Sequence, residues 1–180
     1  MSDTAAGPAS EEAVAPSLSR RMASFVYEGL ILFGILLIPG AVGAVIVAVT
    51  GQQHSVQGDL ILQVTSFSIY AAYFTWFWSK RGQTLPMQTW QIKVVMADGR
   101  PLSWGRAFVR YLASWLWVAP VALISLLNHW SFREDPRAMV AGASLGVLGY
   151  ALLALVLPQK QFLHDLICGT KLVTEARRAP

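Results

Sequence analysis

Apolar stretches alternate with short polar segments along this chain, and four of the stretches are long enough to cross a bilayer. An α-helix needs about 20 apolar residues to cross the hydrocarbon core. The four stretches lie at about 26–50, 60–78, 107–127 and 138–157. The pattern therefore predicts an all-α membrane protein with four transmembrane helices.

The polar segment between the second and third stretches has a different period. Trp90, Ile92 and Val94 alternate with the residues between them, which is typical of a half-buried strand. The Asp-Gly pair at 98–99 favours a tight turn, and residues 100–102 begin a return limb. We predict a small cytoplasmic β-hairpin between the second and third transmembrane helices.

After the fourth stretch, the sequence predicts a short amphipathic helix over residues 161–170. Residues 171–173 follow it and could add a third strand to the hairpin. Residues 1–19 are polar and rich in Ala, Pro and Ser, a composition that buries too little apolar surface to fold. We therefore expect a disordered tail over 1–19, one transmembrane domain over 20–174 and a C-terminal tail over 175–180.

The basic residues lie at the ends of the apolar stretches that face one side. Twelve of the 14 lysines and arginines lie in three segments. The first segment precedes the first stretch, the second runs from the end of the second stretch to the entry turns of the third, and the last follows the fourth stretch. Only Arg133 and Arg137 lie elsewhere. Because cytoplasmic loops collect Lys and Arg, both termini and the hairpin are predicted to lie in the cytoplasm. An even number of spans is required by that arrangement.

Composition excludes several function classes. Charged residues make up only 13% of the chain, against about a quarter in soluble domains. The net charge of +4 is not gathered into a soluble patch, so we expect no nucleic-acid partner. No nucleophile elbow, phosphate loop or dinucleotide motif is present, so we expect no enzyme activity and no cofactor. His54 and His129 are predicted outside and His164 inside, so no metal site is expected.

The candidate functional residues are titratable groups predicted at the cytoplasmic face of the bilayer. They are Arg21, Glu28, Arg106, Arg110, His164 and Asp165. A carboxylate near hydrocarbon is costly unless it is paired. Glu28 could pair with Arg21, or with Arg106 and Arg110, in a structural clasp. Alternatively, the acids could line the inner mouth of an ion path and bind a cation or proton.

A polar stripe on the second apolar stretch also has two interpretations. Gln63, Ser66, Tyr70 and Tyr73 recur at helical spacing. They could form hydrogen bonds between helices, or they could line a pathway.

Three motifs together resemble the RDD family of prokaryotic membrane proteins. The opening motif is Arg21-Met-Ala-Ser-Phe-Val-Tyr-Glu28. The central one is Gly-Gln-Thr-Leu at 82–85, with the segments 92–95 and 98–103, and the closing one is His-Asp-Leu-Ile-Cys-Gly-Thr at 164–170. The resemblance implies a multi-pass protein of the cytoplasmic (inner) membrane.

That family is named for an arginine and two aspartates. By resemblance, Arg21 is the arginine and Asp165 the second aspartate, while Glu28 stands where the first aspartate is usual. Ser24 replaces an alanine, and the residues at 86–87, Pro-Met, replace a Gly-Lys pair. Transport has been proposed for the family, and ion–proton exchange is reported for some members.

The resulting expectation is a small transporter or ion/proton exchanger in a lipid bilayer, acting on a small cation or proton. Four spans are few for a transporter, so a homo-oligomer is expected. The alternative is a membrane scaffold that does not transport and docks an assembly partner through the cytoplasmic hairpin.

Overall fold

The computed structural model of the 180-residue protein is mostly helical, with about 75% of the described residues in helices, and it contains a small antiparallel sheet. It describes residues 14–51, 56–119, 122 and 136–175. Most of the predicted N-terminal tail, the end of the predicted third span, the loop after it and the predicted C-terminal tail beyond Glu175 lie outside the described residues.

Two long helices have the length and composition needed to cross a membrane. Helix α1 spans Leu18–Thr50 and helix α2 spans Val56–Lys80. The Ser17 side chain caps the start of α1 by accepting a hydrogen bond from the backbone N–H of Arg20. The helix ends at Gly51, which adopts the left-handed conformation that favours glycine. Both helices begin before the predicted spans and include them.

Two further helices overlap the predicted third and fourth spans, and each begins two or three residues before its span. Helix α4 spans Trp104–Ser114 and continues as a 3₁₀ turn over Trp115–Val118, and helix α5 spans Pro136–Val156. The apolar part of α5, Val140–Val156, is shorter than the spanning stretches of α1 and α2. The described part of the chain therefore contains two helices that are both long enough and apolar enough to span a bilayer.

The shorter elements lie between α2 and α4 and after α5. They are helix α3 (Leu85–Thr89), strand β1 (Ile92–Met96), a 3₁₀ turn (Pro158–Lys160), helix α6 (Leu163–Cys168) and strand β2 (Thr170–Thr174). Helix α6 forms within the segment predicted to be a short C-terminal helix.

The sheet consists of β1 and β2 paired antiparallel, with Val94 opposite Leu172. The predicted turn at 98–99 is present: the Gly99 N–H donates to the carbonyl of Met96 at 2.8 Å. The predicted return limb at 100–102 is wrong, since these residues form no strand. Pro101 has no N–H for a ladder, whereas Leu172 supplies an apolar side chain that is buried against the core. The strand predicted as a third member is therefore the sole described partner of β1.

Both outer edges of the sheet are already hydrogen-bonded within the chain. On β1, the Val94 N–H donates to the Gly82 carbonyl at 2.8 Å. On β2, the Gln161 side chain replaces a strand: its Oε1 accepts from the Leu172 N–H at 2.9 Å, and its Nε2 donates to the Leu172 carbonyl at 3.2 Å. The Thr174 N–H donates to the carbonyl of Val14. These bonds leave little free edge for an added strand.

The buried core lies at the end of the molecule that carries the sheet. Its members come from α2, α3, α4, both strands and the loop before α4: Ala71, Trp78, Met87, Ile92, Val94, Leu102, Ala107, Tyr111 and Leu172. Along the long helices the apolar side chains are exposed instead, with Ile38 72% and Val49 80% exposed. Apolar side chains so widely exposed indicate contact with lipid rather than water.

Candidate functional site

A buried ion pair joins α4 to α6. Asp165 Oδ1 accepts hydrogen bonds from Arg110 Nε at 3.0 Å and Nη2 at 2.7 Å, and from Thr170 Oγ1 at 3.0 Å. Both side chains are almost completely buried. The Arg110 guanidinium carbon also lies 4.2 Å from the centre of the Trp78 ring, a cation–π contact with α2. The pair therefore fastens the C-terminal segment to α4 and, through Trp78, to α2.

The electrostatics of Asp165 are set by this pairing. Burial alone would raise the pKa of Asp165, but the Arg110 charge and the hydrogen bonds from Arg110 and Thr170 outweigh it and lower the pKa below its usual value. Asp165 is therefore ionised at neutral pH. Its Oδ2 has no hydrogen-bond partner within the described part of the chain.

His164 lies beside the pair and is neutral at physiological pH. Burial lowers the pKa of His164 to about 4, with Asp165 opposing the shift and Arg110 adding to it. Arg110 Nη2, which can only donate, lies 3.3 Å from Nε2, so the ring proton is assigned to Nδ1. Nδ1 then donates to the Tyr150 hydroxyl at 2.8 Å. The Phe162 ring stacks on both the His164 and Tyr150 rings.

Arg21 joins this group through α1. It is buried, and its Nε donates to the Pro16 carbonyl at 2.8 Å while Nη1 donates to the Lys160 carbonyl. Its guanidinium carbon lies 5.4 Å from the centre of the Phe162 ring. The charge of Asp165 is close enough to stabilise that of Arg21, although the two form no direct ion pair. Arg21 therefore connects α1 to the segment that follows α5.

Glu28 forms a separate buried site. It is 7% exposed, and its Oε2 accepts a hydrogen bond from Thr84 Oγ1 at 2.5 Å. The Tyr73 hydroxyl lies close enough to the Glu28 carboxyl group for a side-chain hydrogen bond to affect both, although among the described residues neither that hydroxyl nor Glu28 Oε1 has a hydrogen bond of normal length and angle. The expected pairing of Glu28 with arginines is wrong: in the described part of the chain it forms no ion pair.

Glu28 and members of the ion-pair group line one cavity of about 350 Å³. Both are part of its wall, since Glu28, Arg21, Arg110 and His164 all line it. Most of the remaining wall is aromatic or aliphatic. Of the polar stripe on α2, Tyr70 lines the cavity, whereas Ser66 Oγ donates to the Leu62 carbonyl within the helix.

The structure thus brings together four of the six predicted residues, namely Arg21, Arg110, His164 and Asp165. Arg106 is exposed and does not line the cavity. Sequence reasoning missed Thr84 and Tyr150 as partners. Thr84 lies in the Gly-Gln-Thr-Leu motif at 82–85, which could have marked it, whereas Tyr150 lies in an apolar stretch with no signal around it.

Among the described residues, no three His, Cys, Asp or Glu side chains are grouped so that they could hold a metal ion. Comparison with curated proteins gave no match, and comparison with solved structures gave none. The sequence profile of the RDD family matches residues 15–169, which include Glu28, the Arg110–Asp165 pair and every described helix and strand except β2. This chain therefore belongs to the RDD family.

Proposed function

We propose that this protein is a small membrane transporter that exchanges a cation for protons, with Glu28 as the group that binds them. The observation that carries the proposal is a buried carboxyl group that lines a cavity and has no cationic partner among the described residues. A carboxylate in such a position is stabilised either by a proton or by a bound cation. Competition between the two for one site is the physical requirement for coupled exchange.

The cluster of Arg21, Arg110, His164 and Asp165 has a different role in this proposal. Its charges are compensated by direct contacts, and His164 stays neutral across the physiological pH range. The cluster therefore holds α1, α4 and α6 together at the cytoplasmic end of the cavity. It shapes the inner mouth and does not itself carry the ion.

We further propose four spans with both termini in the cytoplasm of a prokaryotic inner membrane. Two contacts support this topology. The pairing of β1 with β2 joins the segment after α2 to the segment after α5, and the Arg21–Lys160 contact joins the start of α1 to the same place. An even number of crossings is needed between segments that meet on one face. The topology is tested by labelling cysteines introduced at Gln52 and Asp98, which should react from opposite sides of the membrane. Labelling of both from the same side would refute the topology.

Transport is tested with purified protein in sealed vesicles under a pH gradient. Addition of Na⁺ or K⁺ to one side should collapse the gradient, as read by a pH-sensitive dye inside the vesicles. Glu28→Gln should abolish this response, because the amide can neither bind a proton nor balance a cation. A response in Glu28→Gln equal to that of the wild type would overturn the coupling role.

Glu175→Gln is the matched control, since it removes one carboxylate from a half-exposed surface pair with Lys93. It should exchange like the wild type. The scaffold alternative has less support, because hydrogen bonds within the chain occupy both edges of the sheet through which a partner would dock. Recovery of a stoichiometric partner after mild detergent extraction, from a protein inactive in vesicles, would favour the scaffold.

A further inference from the structure

Two arginines line the cavity, and their charges are compensated to different degrees. Asp165 accepts two hydrogen bonds from Arg110 and compensates its charge directly. Arg21 is 5% exposed, yet its Nε and Nη1 donate to the neutral backbone carbonyls of Pro16 and Lys160. In the described part of the chain Arg21 forms no ion pair, and Asp165 acts on it only at longer range. Because a buried cation without an anionic partner is unfavourable, this part of the wall favours an anion.

Glu28 does not supply that anion. It lies seven residues after Arg21, about 10 Å further along the axis of α1. Since no described cationic side chain pairs with it, its carboxyl group is stabilised by a proton or by a bound cation. In either state, Arg21 and Arg110 share the negative charge of Asp165. The described wall of the cavity therefore carries one positive charge in excess.

The cavity extends along α1 away from Arg21. Its wall on this helix runs from Arg21 to Leu32, which is about 16 Å along the axis. The apolar side chains of the wall include Phe25 and Leu32 on α1, Phe74 on α2 and Trp117 in the 3₁₀ turn after α4. The volume of about 350 Å³ lies within the range of small-molecule pockets, about 300–1,000 Å³. The site is therefore cationic at one end and, apart from Glu28, mostly apolar along its length.

We propose that the cavity binds a single-chain anionic amphiphile, with a carboxylate or phosphate head at Arg21 and an alkyl chain along the apolar wall. A guanidinium group suits such heads, because its N–H donors match two oxygens at once. Lipid tails are as apolar as the wall, so the chain alone gives little preference for the cavity over the bilayer, and the head decides binding. The ligand is either a free long-chain carboxylate or one chain of an anionic phospholipid.

Binding is tested with the full chain in phosphatidylcholine nanodiscs and a dodecanoate probe that carries a photoreactive diazirine near the end of its chain. Crosslinks located by peptide mass spectrometry should lie on the cavity wall near Leu32 rather than at the exposed Val45. Dodecanoate, dodecanol and dodecylamine then compete, each at a mole fraction measured in the nanodisc. Dodecanoate should halve the crosslinking at a mole fraction at least about tenfold below that of dodecanol, since hydrogen bonds to charged groups are the stronger ones. Dodecylamine should compete most weakly.

Three variants isolate the role of Arg21. Arg21→Gln should make dodecanoate compete about tenfold more weakly, like dodecanol, whereas Arg21→Lys keeps the charge and should retain the preference for the carboxylate. Arg106→Gln is the matched control, because it removes an exposed arginine that does not line the cavity, and it should behave like the wild type. Protection of the buried Cys168 thiol from labelling confirms that each variant is folded. If Arg21→Gln does not fold, the ranking of the three competitors in the wild type and in Arg21→Lys decides.

The inference is overturned if dodecanol competes as well as dodecanoate, if dodecylamine competes best, or if folded Arg21→Gln keeps the wild-type preference for the carboxylate. Nanodiscs of phosphatidylglycerol distinguish the two sources of the ligand. Loss of crosslinking there identifies an anionic phospholipid, unchanged crosslinking identifies a free carboxylate, and both support an anionic head at Arg21.

The inference goes beyond the proposed function, and the two fail separately. Crosslinking involves no pH gradient, so crosslinks on the wall without exchange in vesicles would overturn transport and leave the amphiphile site. Exchange without selective competition by dodecanoate would overturn the amphiphile site and leave transport.

Discussion

Replacing Asp165 by Asn should strongly destabilise the protein. The carboxylate is fully buried and accepts two hydrogen bonds from Arg110 and one from Thr170. An amide of the same size keeps the shape but leaves the Arg110 charge buried without compensation. Breaking a buried pair by removing one partner costs about 3–5 kcal/mol. The population of opened molecules should therefore rise between about a hundredfold and several thousandfold.

The single cysteine of the chain offers the assay. Cys168 is 2% exposed and lies three residues after Asp165 on α6, so a thiol-reactive dye labels it only when this segment opens. When opening and closing are fast relative to labelling, the labelling rate measures the open population. In detergent micelles at neutral pH, Asp165→Asn should be labelled at least about a hundredfold faster than the wild type.

Two controls distinguish the effect of breaking the buried Arg110–Asp165 pair from the effect of removing a carboxylate anywhere in the protein. Asp98→Asn breaks an exposed pair with Arg100 and should leave the labelling rate unchanged, because exposed pairs contribute little. Replacing Arg110 and Asp165 together by Leu should restore most of the protection, since an apolar pair leaves no buried charge. Labelling of Asp165→Asn as slow as that of Asp98→Asn would refute the reasoning.

Three further predictions concern pH, a turn and the sheet edge. Because burial lowers the pKa of His164 from 6.5 to about 4, the unfolded chain binds the extra proton first. The free energy of unfolding should therefore fall by about 3 kcal/mol as the pH drops from 6.5 to 4, and a pH series on His164→Gln should lack this slope. Gly82→Ala should cost about 2 kcal/mol or more, since φ is +70° and a Cβ would lie 2.8 Å from the Val94 carbonyl. Gly99→Ala, equally left-handed but with open space around it, should cost about half as much in thermal unfolding. Gln161→Leu would leave both backbone groups of Leu172 unpaired and should speed exchange of the Leu172 amide about tenfold or more.

The elements that sequence periodicity could predict are those whose environment is uniform along their length. The run over 26–50 is apolar on nearly all sides and the run over 60–78 is apolar apart from one polar stripe, and both form long helices. Strand β1 was predicted from its alternation and β2 as a third strand, but the direct pairing of the two was not predicted, because the Asp98-Gly99 turn favours a hairpin locally. The pairing of β1 with β2 depends on α6, which places Leu172 alongside β1. No local sequence pattern predicts that long-range contact.

The candidate site was predictable as a set of residues but not as a set of pairs. Charge near the membrane boundary marked Arg110 and Asp165, which do pair. The same reasoning matched Glu28 with arginines, whereas its partner is the neutral hydroxyl of Thr84. Charge alone cannot choose a partner, because pairing depends on which helices are adjacent.

The order in which the ribosome releases this chain gives the pairing of β1 with β2 a consequence for biogenesis. Strand β1 and Arg110 emerge long before Thr170–Thr174 and Asp165. During translation, therefore, the Arg110 guanidinium group is present before Asp165, and the edge of β1 that pairs with β2 is present before β2. A nascent polypeptide interrupted before Asp165 would keep both features exposed, which would mark it for membrane proteases. Completion of synthesis is thus the step that closes the end of the molecule that carries the sheet.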